Sequence, residues 1–247
     1  MSSSKALVTL MDDNFMPGFR VFWKSFIAHN SWFNYDFVIF DCGLSKENKQ
    51  ELCNTYEKII IKSIQRENYE KINFSRTAKK LRNTYYTFEI FTLDYDRVVF
   101  MDMDILVLGD YSEVFNSDVD IAGCKGYGAK KDKLSRGINT GMFTVSKKHL
   151  NDETYRGIIK HTIPGFSMPD QHAINGYFSD TMKYFNKKYN VEKRMLYTKR
   201  YAKLKNPRFI VGLHFVAWKP WQDKALAPNK ENQYASYEAL WHAWSKK

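Results

Sequence analysis

Asp102 and Asp104 stand one residue apart in the run Arg97-Val98-Val99-Phe100-Met101-Asp102-Met103-Asp104-Ile105-Leu106-Val107-Leu108. The flanks read as a buried strand of a parallel sheet, and two carboxylates interrupt it. Burying two charges among apolar neighbours is costly unless a cation or hydrogen-bond donors compensate them. The strand is therefore expected to end there, with both carboxylates turned to a divalent metal at its carboxyl edge. Open α/β sheets bind their ligands at that edge. Hard oxygen ligands suit Mn²⁺ or Mg²⁺, and such an ion commonly carries a substrate diphosphate. The plainer alternative is an ordinary strand-to-loop transition with two polar residues.

Three further polar clusters are expected at strand ends: Asn139-Thr140-Gly141, Pro169-Asp170-Gln171-His172-Ala173-Ile174-Asn175, and Gly212-Leu213-His214-Phe215-Val216-Ala217-Trp218-Lys219-Pro220-Trp221. Singly, each has an ordinary explanation. Asn139 can make a turn, Asp170 can cap a helix starting at Gln171, His214 can be a satisfied core histidine, and Lys219 can be a surface lysine.

The elements that must hold these clusters follow from periodicity and turn chemistry. Strands are expected at Ala6 to Met11, Tyr35 to Asp41, Lys58 to Ile64, the run before Asp102, Asp120 to Cys124, Gly141 to Ser146 and Phe209 to Phe215. Helices are expected from Pro17 to His29, Lys46 to Thr55, Ala78 to Leu93, Lys148 to His161, Gln171 to Phe178 and through the tail from Lys230. In that tail the stripe of Tyr234, Tyr237, Leu240, Trp241 and Trp244 is expected to pack in the core. Alternation of strand and helix over the first 110 residues argues for a mostly parallel sheet flanked by helices, an α/β fold. With no linker-like stretch or internal repeat, residues 1–247 read as a single domain.

Composition narrows the functional classes. Net charge is +11, with basic residues dense from Lys183 to Arg208, yet no nucleic-acid motif accompanies it. A positive field also attracts an anionic sugar nucleotide. Cys42, Cys53 and Cys124 have no metal-binding spacing and fit reduced thiols in a cytoplasmic protein. The amino-terminal Met1-Ser2-Ser3-Ser4-Lys5 lacks the apolar core of a signal peptide, and no run has the length of a membrane span.

Taken together and in order, D-x-D, N-x-G, D-Q-x-x-x-N and H-F followed closely by K-P-W resemble glycosyltransferase family 8, from Val8 to Trp221. The resemblance implies a GT-A fold and retaining transfer of a hexose, glucose foremost, from a UDP-sugar to a glycan or protein acceptor. It implies Asp102, Asp104 and His214 as ligands of Mn²⁺, with Mg²⁺ as the alternative. Asp102, Met103, Asp104 and Lys219 would contact the diphosphate side of the donor, and Thr9, Leu10 and Phe15 the base. Asn139, Asp170 and Gln171 would surround the transferred sugar. A narrower similarity, Tyr189-Asn190-Val191 followed by Tyr197, resembles the glycogenin branch, where a tyrosine at this offset accepts the first glucose, within one subunit or across a homodimer. The chain departs from that branch in three places. Thr87 occupies the aligned position of a lysine, with Lys80 and Arg82 earlier in the same segment. Ala217 replaces a frequent glycine, in a loop from His214 to Lys219 that is one residue shorter than in that branch. The chain also ends soon after the last motif, without the tail that engages glycogen synthase.

Retention leaves two routes open: double displacement with Asp170 as nucleophile, or a front-face reaction in which the departing phosphate deprotonates the acceptor. A hydrolase would need two carboxylates flanking the sugar, and Asp102 and Asp104 are better used on metal. The competing readings are a transferase for UDP-galactose or UDP-glucose with a separate acceptor, and an inactive sugar-nucleotide-binding module.

Overall fold

Alternate residues of the central strands point to opposite faces, and each face carries its own apolar core. A computed structural model describes residues 4–69, 79–127, 134–162, 169–223, 225, 228 and 233–247. Strand β1 (Lys5–Met11) leads to helix α1 (Met16–His29), then β2 (Asp36–Asp41), α2 (Lys46–Thr55) and β3 (Ile59–Ser63). After a 3-10 segment over Lys79–Thr92 come β4 (Arg97–Met101), β5 (Ile105–Val107), the short α3 (Ser112–Phe115), β6 (Ile121–Tyr127) and β7 (Leu134–Ser146). The remaining elements are α4 (Asp152–Lys160), α5 (Pro169–Tyr177), β8 (Lys183–Tyr184), β9 (Val191–Glu192), β10 (Gly212–His214) and α6 (Ala235–Ser245).

Seven strands form the main sheet in the order β3-β2-β1-β4-β7-β6-β8. From β3 to β4 all neighbours are parallel, while β7 runs antiparallel to both β4 and β6. Ala6, Val8, Val98 and Phe100 face one core, with the 3-10 segment, α4 and α5. Leu7, Val99 and Met101 face the other, with Phe19, Phe22 and Phe26 of α1 and Leu52 of α2. The two-residue period of β1 and β4 thus divides one sheet between two hydrophobic layers. β5, β10 and β9 form a second, three-stranded sheet. It is backed by Leu106, Val191, Leu213 and Phe215 packed with Tyr237 and Trp241 of α6, the core role expected for that tail.

The strand order reverses beside β1. β2 and β3 are added on one side of it, and β4 then returns to the other. That is a topological switch point, where a crevice opens at the carboxyl ends of the strands. The crevice is bordered by Thr9 and Leu10 near the end of β1 and by Asp102 just after β4.

Several sequence-based expectations are corrected. The apolar run around Asp102 is two strands in two sheets, β4 and β5, with the carboxylates at the junction. The segment expected to be an α-helix from Ala78 to Leu93 is a 3-10 helix over Lys79–Thr92. Its fully buried Tyr85, Phe88 and Phe91 recur every three residues, the period that places side chains in one row on a 3-10 helix. The strand expected from Gly141 begins at Leu134, so Asn139 lies inside β7 and not at a strand end. Asp170 and Gln171 sit in the first turn of α5 rather than at a strand end. The last strand is confined to Gly212–His214, because Asn206 caps a 3-10 turn over Pro207–Phe209. Among the described residues no helix is long and apolar enough to cross a membrane.

Candidate active site at the junction of the two sheets

Backbone pairing brings the separate motifs together. The amide of Asp102 donates to the carbonyl of Gly141 at 2.8 Å, extending the β4–β7 ladder by one step. The chain then turns into β5, which pairs with β10 so that His214 lies opposite Ile105. The amide of Phe215 donates to the carbonyl of Asp104 at 2.9 Å. The main sheet therefore fixes Asp102 and Gly141, and the small sheet fixes Asp104 and His214.

The Asp102, Asp104 and His214 ligand atoms lie within 4.8 Å of one another. His214 Nε2 is 3.5 Å from Asp102 Oδ2 and 3.1 Å from Asp104 Oδ1. Asp104 is only 2% exposed; its Oδ2 accepts from Lys219 Nζ, whereas its Oδ1 is buried and accepts no well-directed hydrogen bond. Burial alone would raise the Asp104 carboxyl, but His214 and Lys219 outweigh it and hold the group well below the usual carboxylate range. Asp102 keeps 42% of its side chain open to the cleft. Partial desolvation and the like charge of Asp104 push its carboxyl up to about 7. An unsatisfied buried carboxylate oxygen, a second carboxylate that is costly to charge beside it, and an imidazole are a donor set that a hard divalent cation would satisfy.

Gly141 is required by this crowding. A Cβ there would lie 2.2 Å from His214 Cε1 and 2.8 Å from Asp102 Oδ2. The glycine of N-x-G is the space that the imidazole occupies.

The base-side residues also converge. Lys219 Nζ lies 5.9 Å from the centre of the Phe15 ring, and Trp221 meets that ring edge-on at 5.9 Å between centroids. Trp221 Nε1 donates to the carbonyl of Asn14 at 3.1 Å, tying the K-P-W loop to the end of β1. Ala217 in that loop has φ of 68°, in the left-handed region that favours glycine. The frequent glycine that it replaces is therefore explained by the backbone. The Thr9 hydroxyl is buried without a hydrogen-bond partner.

On the other side, Asp170 is 8% exposed, and its Oδ2 accepts from the Thr140 hydroxyl at 2.6 Å. Burial raises its carboxyl; hydrogen bonds from Thr140, the Gln171 amide and Thr84 oppose that without cancelling it. Asn139 donates to Gln171 Oε1 at 3.3 Å, linking β7 to α5. Asn175, the last residue of D-Q-x-x-x-N, accepts from the Ile138 amide at 2.8 Å and donates to the Ile138 carbonyl at 2.9 Å. It holds α5 against β7 beside the register shift in the β6–β7 ladder. Asn175→Leu is expected to leave both Ile138 groups unpaired and lower stability by about 2–4 kcal/mol, read as a lower denaturation midpoint at unchanged slope.

Two more residues singled out in the sequence are placed by the structure. Tyr197 is 46% exposed, but its hydroxyl donates to the carbonyl of Gln233 and its ring packs edge-on against Tyr234. Its described contacts are thus with the approach to α6, not with the carboxylates. Thr87, aligned with a lysine in the glycogenin branch, is buried, and the Lys80 side chain lies outside the described residues. Asn190, which served only as a landmark in the sequence, contributes directly: its Oδ1 lies 2.9 Å from His214 Nδ1. The available signal was a polar residue between two strongly apolar neighbours, Tyr189 and Val191, all three buried.

A mostly parallel α/β sheet flanked by helices, with a D-x-D pair at its switch point, defines the GT-A class of glycosyltransferase folds. The model of glycosyl transferase family 8 matches residues 6–225, and the chain belongs to that family. Among curated proteins it is similar to glycosyltransferase GlyF of Streptococcus pneumoniae, 26% identical over 204 residues that cover 75% of this chain and 48% of GlyF. The chain thus spans about half the length of that relative. Among solved structures it superimposes on galactosyltransferase LgtC in complex with donor and acceptor sugar analogues. That match has a TM-score of 0.68 and 18% identity, and covers 95% of each chain. It also superimposes on the bifunctional glycosyltransferase WbbM, with a TM-score of 0.70 and 20% identity over 91% of this chain and 48% of WbbM. At these identities the structural matches establish the fold.

Proposed function

We propose that this chain is a retaining, metal-dependent hexosyltransferase that moves a hexose, glucose foremost, from a UDP-sugar to a separate glycan or protein acceptor. The observation that carries this reading is the convergence of Asp102 Oδ2, the unsatisfied Asp104 Oδ1 and His214 Nε2 at the switch point, with Lys219 on the same carboxylate. Asp102, Asp104 and His214 hold Mn²⁺, or Mg²⁺ less well, which when bound neutralises charge on the departing diphosphate. Lys219 adds a cation beside the diphosphate and, through its contact with Asp104, keeps that carboxylate ionised. Phe15, close to both Lys219 and Trp221, offers an apolar face to the uracil. Thr9, Leu10 and Met103 supply the polypeptide edge along which the nucleotide lies.

Asp170, Gln171 and Asn139 orient the sugar. The hydrogen bonds that tie Asp170 to Thr140 and Thr84 favour an orienting carboxylate in a front-face reaction over a nucleophile that must advance on the anomeric carbon. Asp170→Asn keeps the size of the side chain but loses its charge. It is expected to slow transfer about 10²-fold or more while changing UDP affinity less than threefold. Transfer at the wild-type rate would remove Asp170 from the sugar site.

A separate acceptor is favoured because the Tyr197 hydroxyl is already engaged with Gln233 and because LgtC is described with an acceptor sugar analogue. Self-glucosylation at Tyr197 is the second reading, supported by its exposure. Intact mass after incubation with Mn²⁺ and a panel of UDP-sugars separates the two. Release of UDP with an unmodified protein mass supports the first reading, and hexose increments lost in Tyr197→Phe support the second. No UDP release from any UDP-sugar would overturn the donor assignment.

A further inference from the structure

The amide groups around His214 can be oriented without ambiguity, because one end of their chain is a backbone donor. The Gly141 amide donates to Asn139 Oδ1 at 3.1 Å, which makes that atom the oxygen. The Asn190 atom 2.8 Å from the same oxygen must then be the amino group, Nδ2. The other amide atom of Asn190 is its oxygen, and it faces His214 Nδ1 at 2.9 Å. An amide oxygen only accepts hydrogen bonds, so Nδ1 carries a proton and in the neutral ring Nε2 keeps its lone pair. With the opposite tautomer, two lone pairs would meet at 2.9 Å in a buried site. Asn190 is 0% exposed, Asn139 and His214 3% each, so water cannot relieve such a contact.

We propose that Asn190, held by Asn139 and the Gly141 amide, is a positioning residue that fixes His214 in its Nδ1–H tautomer and so commits Nε2 to face Asp102 and Asp104. The proton on Nδ1 stands on the hydrogen bonds alone; a bare Nε2 rests on the metal reading, because its lone pair lies 3.1 Å from Asp104 Oδ1 and needs a cation between them. It gives the asparagine of N-x-G a role on the histidine side of the site in addition to its contact with Gln171. The relay joins three separate segments, β7, the turn before β9, and β10, and it would be broken by loss of any one amide.

Ligand-free protein observed by long-range ¹H–¹⁵N correlation is expected to show Nδ1 of His214 protonated, whether or not Nε2 also carries a proton toward Asp104. A bare Nδ1 in the wild type overturns the proposal, whatever the variants do. Asn190→Leu, with the same branched skeleton but without hydrogen-bonding groups, is expected to give both tautomers and a Kd for Mn²⁺, measured with UDP present, about 10- to 100-fold weaker. Asn190→Asp keeps an acceptor toward Nδ1. It should retain the wild-type tautomer and bind Mn²⁺ more tightly than Asn190→Leu. If Asn190→Leu keeps a single tautomer and wild-type Mn²⁺ affinity, Asn190 only fills space and the proposal falls. If the wild type shows the expected tautomer but binds no Mn²⁺, the metal reading fails and the tautomer assignment is supported.

Discussion

Asp104→Ala is expected to reduce UDP-sugar turnover by about 10³-fold or more, to the level of wild type in EDTA. A rate loss of that size corresponds to roughly 4 kcal/mol of lost transition-state stabilisation, the scale expected when a ligand of a leaving-group metal is removed. Asp104 accepts from Lys219, faces His214 and is nearly fully buried, so no neighbouring water can stand in for its carboxylate. Alanine also leaves Lys219 without its anion. Lys219 is 16% exposed at its side chain and lies on a loop, so it can turn outward, and the cost to the fold should stay below the roughly 3–5 kcal/mol of a fully buried broken pair. Far-UV circular dichroism and the thermal midpoint test that the variant is folded; UDP release with and without Mn²⁺ tests the chemistry. Full turnover by Asp104→Ala, or wild-type activity unaffected by EDTA, would refute the assignment of this carboxylate to a metal.

The parallel half of the fold was readable because its signals are local. β1, β2 and β3 are short apolar runs, and α2 occupies Lys46–Thr55 as expected because Ser45 caps it through the Asn48 amide. The 3-10 segment was misread because an amphipathic run of tyrosine, threonine and phenylalanine fits periods of both 3.0 and 3.6 over fourteen residues. The direction of β7 was not readable, since apolar alternation is the same in parallel and antiparallel strands. Of the small sheet, β10 lies within the strand expected from Phe209 to Phe215 and β5 within the run around Asp102, but β9 and the pairing of the three escaped. β9 has two residues and β10 three, too few for any periodicity, although both are fully buried.

Site residues divide in the same way. Asp102 and Asp104 were legible as chemical types that seldom lie in apolar runs without a reason, His214 only through the family resemblance, and the structure brings the three together. Asn139 was legible as a functional residue but not in its contacts, because its partners Asn190 and Gln171 are 51 and 32 residues away in sequence. Tyr197 was singled out by its offset from a motif that resembles the glycogenin branch. Spacing reports where a residue falls along the chain, and its hydroxyl turned out to meet Gln233.

Gly141→Ala is expected to remove metal binding through a single methyl group. The added Cβ would sit 2.2 Å from His214 Cε1 and 2.8 Å from both His214 Nδ1 and Asp102 Oδ2. Asp102, open to the cleft, can swing away, but His214 is held by Asn190 and walled in, so the imidazole has to leave its position or the β4–β7 pairing has to open. Either movement separates Nε2 from the carboxylates. Overpacking of this kind costs about 1–3 kcal/mol, and Mn²⁺ affinity in the presence of UDP should fall by about 100-fold, the upper range for disturbing a supporting shell. Gly176→Ala is the matched control. It lies in α5, and its Cβ would find only His161 Cδ2 at 3.6 Å, an ordinary contact. Alanine in this last turn of α5 should change stability by less than about 1 kcal/mol and leave Mn²⁺ binding unchanged. Manganese titration and thermal melting of the two variants in parallel separate local crowding at the site from a general intolerance of alanine. Equal Mn²⁺ affinity in Gly141→Ala and wild type would mean that His214 is not needed where it stands, and the three-residue ligand set would have to be abandoned.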